Sequence, residues 1–342
     1  MLDKLLEALY NKIFVNIVIN KHSVNLQVDI CSKKGVIDSV EENFETSYIN
    51  DAMLTFIKNY TAESPFYYIS VLDISTQQGV IPTCSKNLLP RYHDLSDSEY
   101  KCHDKLWTYY TSKTDLYEIE KIYKDIGVDF IFSPFSILSK FFQDKISSHM
   151  ALYVLVQENF VCLSVFEESK LLFGEYLDME NTQEHDDLLL DDIEDDIEDD
   201  IDLDLEEGIN LEDIDVIDDV DDVDDFGDIE DLDSLEDIDE FSEDVEEEFY
   251  QESEEEIEEN ASSDGFNEDY QRFSLIQSAI NRFYKDAKYE SKFIENVYIA
   301  DSVGISADLK KYLEEEMFLT VYVRKVDLGS ELSSLAQEEM GL

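Results

Sequence analysis

The chain has 342 residues, of which 84 are acidic and 25 basic, a net charge of −59. A field of that sign repels phosphate backbones and anionic headgroups, so binding to nucleic acid or acidic lipid is not expected. The excess is local: residues 186–259 hold 42 acidic residues in 74 positions and no Lys or Arg, leaving 42 acids and all 25 bases, a balance of −17, elsewhere.

Leu2, Leu5, Leu6 and Leu9 have helical spacing, but Asp3 and Glu7 interrupt any signal-peptide core, so the opening reads as a short amphipathic helix. Apolar runs at 13–19, 24–31 and 36–40, split by short polar turns, predict a three-stranded meander. A helix capped by Thr46 follows, with Ile49, Met53, Phe56, Ile57 and Tyr60 at the 3.6 period, and then a strand over 66–72. Residues 73–112 read as an irregular insertion with one strand at 106–111. Thr114 caps a helix to Ile126 that Gly127 stops, and strand 128–132 and helix 134–142 complete the first half.

The second half repeats this order. Strands at 151–156, 160–166 and 170–177 form another meander. After the acidic tract come a helix with Phe273, Ile276, Ile280, Phe283 and Ala287 on one face, strand 293–300, helix 306–317, strand 318–323 and helix 330–340. Each half reads β-β-β-α-β-α-β-α around a mixed sheet with helices on both faces. The implied domains are a first half at 1–145, a second half at 146–183 and 266–342, and a disordered acidic insertion at 184–265. No stretch has the length of apolar sequence that a membrane-spanning helix needs.

Within the tract an apolar residue recurs every third position from Ile217 to Phe241. A step of three drifts around an α-helix and gives no single face, and like charges oppose helix formation. A solvated low-complexity run is the favoured reading. The second reading is a bait whose residues Val220, Val223, Phe226 and Ile229 dock on a basic or hydrophobic partner. The best calcium loop, beginning at Asp222, puts Phe226 where an oxygen ligand is needed.

Cys84, His93 and Cys102, beside His103, are weak candidates for zinc, because their spacing matches no standard knuckle. Buried thiols and surface histidines are the preferred account. Of the four cysteines none forms a CxxC pair, and three fall in or beside apolar or aromatic stretches, which suits a reducing cytoplasm.

The duplicated order, with residues 152–156 (LYVLV), 163–177 (LSVFEESKLLFGEYL), 129–138 (DFIFSPFSIL) and 297–309 (VYIADSVGISADL), resembles the actin-like, ribonuclease H-like superfamily. Within it the chain resembles PilM of type IV pilus machines and the cytoplasmic domain of GspL of type II secretion. The resemblance implies two phosphate-binding hairpins of the type D-x-G-(S/T) and a glycine-rich late turn. Here Val18 and Asn20, then Leu155 and Gln157, stand at the acid and glycine positions, and the late turn keeps Gly304 but carries Asp301. Glycine admits backbone N–H groups to phosphate and the acid organises Mg²⁺ or water, so these replacements predict no ATP hydrolysis and no bound cofactor. The function implied is a non-catalytic scaffold at the cytoplasmic face of a secretion, pilus or DNA-uptake assembly. It would dock an inner-membrane protein and the assembly ATPase, and lie at the membrane only through partners. The alternatives are an active actin-like ATPase or sugar kinase with unconventional phosphate loops, and a metal-responsive acidic regulator.

Overall fold

The computed structural model describes residues 10–180, 263–289, 291–305 and 307–342. Strands β1 (Lys12–Ile19), β2 (Val24–Ser32) and β3 (Gly35–Phe44) form an antiparallel meander. In β1, Ile13, Val15 and Ile17 fill one core while Phe14 and Val18 fill another. A strand buried on both faces reads in sequence as an unbroken apolar run. Helix α1 (Asp51–Thr61) leads to β4 (Tyr67–Leu72), parallel to β1. Its cap is Asn50, whose side chain accepts from Met53 N–H at 3.0 Å; Thr46, the expected cap, instead bonds Tyr48.

Residues 73–112 differ from the irregular stretch expected. They carry β5 (Gln78–Ile81), β6 (Ser98–His103) and β7 (Trp107–Ser112), an antiparallel sheet in the order β5-β7-β6. The four residues of β5 and the polar, exposed β6 gave no apolar alternation to read. Helix α2 (Lys113–Ile122), capped by Ser112 and not Thr114, leads to β8 (Phe130–Phe132) and α3 (Pro134–Phe141).

The second half contains β9 (Ala151–Val156), β10 (Phe160–Glu167), β11 (Lys170–Asp178), α4 (Ser263–Lys285), β12 (Asn296–Asp301), α5 (Ala307–Glu316), β13 (Thr320–Lys325) and α6 (Leu328–Glu339). The two five-stranded sheets have one order, β3-β2-β1-β4-β8 and β11-β10-β9-β12-β13, each an antiparallel meander joined to two parallel strands. The described residues all belong to one compact unit.

Three cores follow from these layers. Met53 and Ile57 of α1 cover the outer face of the first sheet, and Ile276, Ile280, Leu309 and Leu313 cover that of the second. The central core lies between the sheets, and there each half gives its last helix to the other: α3 packs on β9 and β10, while α6 packs on β1, β2 and β4. Gly329 permits that approach, since a Cβ there would run into the Gln27 side chain. Among the described residues no helix is long and apolar enough to cross a membrane.

The opening amphipathic helix, the acidic tract and its docking candidates Val220, Val223, Phe226 and Ile229 lie outside the described residues.

Candidate functional site at the facing strand ends

In open α/β sheets, ligands bind beyond the carboxyl ends of parallel strands. Here β1, β4 and β8 end at Ile19, Leu72 and Phe132, and β9 and β12 end at Val156 and Asp301. The two hairpins at these ends are bonded to each other. The Gln157 amide donates to the Asn20 side-chain oxygen at 2.8 Å and to the Ile19 carbonyl at 3.3 Å. Lys21 N–H donates to the Glu158 carboxylate at 2.9 Å, and the Asn159 amide reaches the Ile19 carbonyl at 3.4 Å. Gln157 is buried and its oxygen accepts from Asn159 N–H at 2.6 Å. Val18 and Leu155, at the positions where the resemblance requires an acid, are buried in the central core and offer no oxygen.

The late turn is filled from within. The Asp301 carboxylate accepts from Val303 N–H at 3.0 Å, Gly304 N–H at 2.9 Å and Ile305 N–H at 3.0 Å. Gly304 takes φ +78, which lets three successive N–H groups converge on one anion. Converging N–H groups can hold an anion, and here the Asp301 carboxylate is the group they hold.

The small sheet covers the ends of β4 and β8. Asp73, directly after β4, is buried and accepts from Ser75 N–H at 2.9 Å, the Ser75 hydroxyl at 2.5 Å and the Thr111 hydroxyl at 2.7 Å. The Gln78 amide donates to the Asp73 carbonyl at 3.1 Å, and the Ser133 hydroxyl donates to the Gln78 side-chain oxygen at 3.3 Å. Sequence reasoning passed over Asp73, although an acid directly behind a buried parallel strand was a signal. Burial pushes the Asp73 carboxyl above its ordinary 3.8, against the hydrogen bonds from Ser75 and Thr111. Between the unfolded and folded pKa values the native state therefore holds more protons, and its stability falls as pH rises. Asp73→Asn removes that titration. Urea unfolding followed upward in pH from the ordinary carboxyl value of 3.8 should show the wild type losing ground to the variant as pH rises; a constant gap would rule the effect out.

Beside the bonded hairpins lies a cleft of about 210 Å³ lined by Lys21, Glu158, Asn159, Met179, Glu180, Glu268 and Gln271. Three carboxylates face it against one ammonium, and Lys21 already lies 3.8 Å from Glu268.

The zinc candidates are corrected by the small sheet. Cys84 and Cys102 form a disulfide with Cα atoms 5.5 Å apart, so neither offers a thiolate. The register explains the pairing: Ile81 of β5 and Cys102 of β6 both oppose Thr108 of β7, and Cys84 closely follows Ile81. His93 stacks on Tyr110 with ring centroids 4.4 Å apart. Among the described residues no group of three or more His, Cys, Asp or Glu is arranged to hold a metal. Of the four cysteines only Cys31 and Cys162 are buried thiols, and burial raises the Cys31 pKa to about 11. The disulfide removes the cysteine argument for a reducing compartment.

Two sheets of identical strand order, meeting at their strand ends and exchanging their last helices, define a duplicated ribonuclease H-like, actin-like α/β protein. The chain belongs to the family described as "Domain of unknown function (DUF8341)", whose model matches residues 152–341. A second model, "Domain of unknown function (DUF8569)", matches residues 10–139. No curated protein matches the chain. Similar solved structures include a PilM–PilN type IV pilus biogenesis complex, at 9% identity over 96% of this chain and 94% of that one, with a TM-score of 0.45. A Bacteroides thetaiotaomicron protein with an actin-like ATPase fold and unknown function matches at 14% identity over 54% and 77%, with a TM-score of 0.33. A putative 2-dehydro-3-deoxygalactonokinase from Sinorhizobium meliloti matches at 9% identity over 96% and 100%, with a TM-score of 0.35.

Proposed function

We propose that this protein is a non-catalytic actin-like scaffold, degenerate at its nucleotide site. It would serve a type II secretion, type IV pilus or DNA-uptake assembly by linking an inner-membrane protein to the assembly ATPase. The observation that carries the non-catalytic part is Asp301. A phosphate entering the late turn would have to displace a carboxylate already held by three N–H groups, and would meet a like charge. The hairpin bonds through Gln157 and Lys21 support the same reading, because they join the elements that a nucleotide would have to separate. The assembly part rests on the resemblance of residues 129–138, 152–156, 163–177 and 297–309 to PilM and GspL. In this reading the chain lies at the cytoplasmic side of the inner membrane through its partners.

The test is calorimetric titration of the full chain with Mg²⁺·ATP, together with a phosphate-release assay. Neither binding heat nor phosphate above background is expected. Tight Mg²⁺-dependent binding with turnover would return the protein to the ATPase or sugar-kinase reading.

A further inference from the structure

Strand β3 ends the first sheet and pairs with β2 alone. Among the described residues no backbone hydrogen bond joins its other side to a further element. Eight of its ten residues are exposed, on both faces. Its register with β2 shifts once, at Ile37, and then runs unbroken from Asp38 to Phe44. An edge strand turns the N–H and C=O groups of alternate residues away from its neighbour, which makes it a template for another extended chain. Lysine and proline commonly blunt such edges, and β3 has neither.

The side chains divide this edge into three zones. Lys33 and Lys34 are exposed in the turn before β3. Val36 and Ile37 follow, 50% and 59% exposed. From Asp38 to Glu45 the charged residues are Asp38, Glu41, Glu42 and Glu45, all exposed, with no base among them. That order disfavours a second copy of the strand: antiparallel overlap of residues 38–44 with themselves sets Glu41 against Glu41. A chain with Lys or Arg opposite the acids gains favourable cross-strand pairs instead. The two lysines of the turn repel a base placed beyond the apolar zone, so they limit the cationic stretch to the acidic one.

We propose that the open edge of β3 receives an extended, cationic segment of a partner protein as an added strand. Main-chain hydrogen bonds supply the affinity. Lys or Arg opposite Asp38, Glu41 and Glu42, with apolar residues beside Val36 and Ile37, supplies the specificity. The proposal does not depend on whether the nucleotide site is active.

The test uses the full chain and a capped synthetic peptide, as long as β3, in which Lys alternates with Val and Thr. Amide hydrogen exchange is read at β3 itself, because a cationic peptide also meets acidic residues elsewhere on the chain. Alternate amides between Asp38 and Phe44 should slow by about tenfold or more when the peptide is added. The same peptide with its backbone amides N-methylated keeps its charge and should give no protection. Asp38→Lys/Glu42→Lys should raise the peptide concentration needed for protection by about tenfold or more. Its melting temperature should stay within about 2 °C of wild type, since both side chains are exposed. Unprotected β3 amides in wild type would overturn the proposal. Equal protection by the N-methylated peptide would reduce it to attraction between charges, and equal protection of the double variant would remove the acids from recognition. Protection without peptide, in a dimer that forms as concentration rises, would assign the edge to a second copy of this chain.

Discussion

Leu332→Ala is expected to lower the unfolding free energy by about 2–5 kcal/mol, and to do so for both halves in one transition. Leu332 is fully buried on α6, the last helix of the second half, yet α6 packs on β1, β2 and β4 of the first. Its core contains Phe14 and Val18 from one sheet and Tyr153 and Leu155 from the other. Removing the side chain leaves a cavity that two twisted sheets cannot close without shifting together, so transfer and cavity costs add. Trp107, the single tryptophan, is buried in that core and reports on it by fluorescence, while far-UV circular dichroism reports on all the sheets. In urea the two signals should coincide and move together. Separate transitions, or a loss no larger than that of Tyr117→Ala on the exposed side of α2, would show that the helix exchange does not couple the halves.

That exchange marks the limit of what the sequence makes legible. The halves could be read because β1 and β9 are buried on both faces, and their apolar runs, with the polar turns between meander strands, carry the repeated order. The strand order of each sheet and the gift of α3 and α6 to the opposite half cannot be read from local pattern. Gly329, where a Cβ would run into the Gln27 side chain, stands in a stretch that looks like an ordinary helix start. The small sheet was lost for a related reason: β6 is polar and largely exposed, and its stability comes from pairing with β7, a tertiary property. The Cys84–Cys102 bond exists only because two outer strands share a register with Thr108. Thr46 has the residue type of a cap, but Asn50 stands where the backbone turns into the helix.

At the candidate site the replacements at Val18, Asn20, Leu155, Gln157 and Asp301 were visible one residue at a time, while their mutual bonding was not. Read alone, Gln157 is a polar residue in place of a glycine. In the fold it is the bond between two hairpins 137 residues apart in sequence. Read alone, Asp301 is a charge of the wrong sign for phosphate. In the fold its carboxylate accepts from three N–H groups of its own turn.

Replacing Asp301 with Ala is expected to cost about 2–4 kcal/mol, since hydrogen bonds to a charged acceptor contribute more than neutral ones and three are lost together. The cost stays below the full sum because Gly304 is exposed and Val303 and Ile305 are partly so, which lets water reach some of the freed N–H groups. Amide hydrogen exchange at Val303, Gly304 and Ile305 should accelerate beyond the change at strand positions such as Val297. Asp301→Asn should fall between wild type and Ala, because its remaining oxygen can serve Val303 and Gly304 while its amide faces Ile305 N–H with a donor. The emptied turn keeps its left-handed Gly304 and converging N–H groups, so inorganic phosphate should stabilise the Ala variant and leave wild type nearly unchanged. Thermal unfolding with and without phosphate at constant ionic strength separates the two cases. If phosphate raised both melting temperatures equally, the turn would not be the anion site that Asp301 fills. An Ala variant as stable as wild type would mean that the carboxylate is a bystander in its own turn.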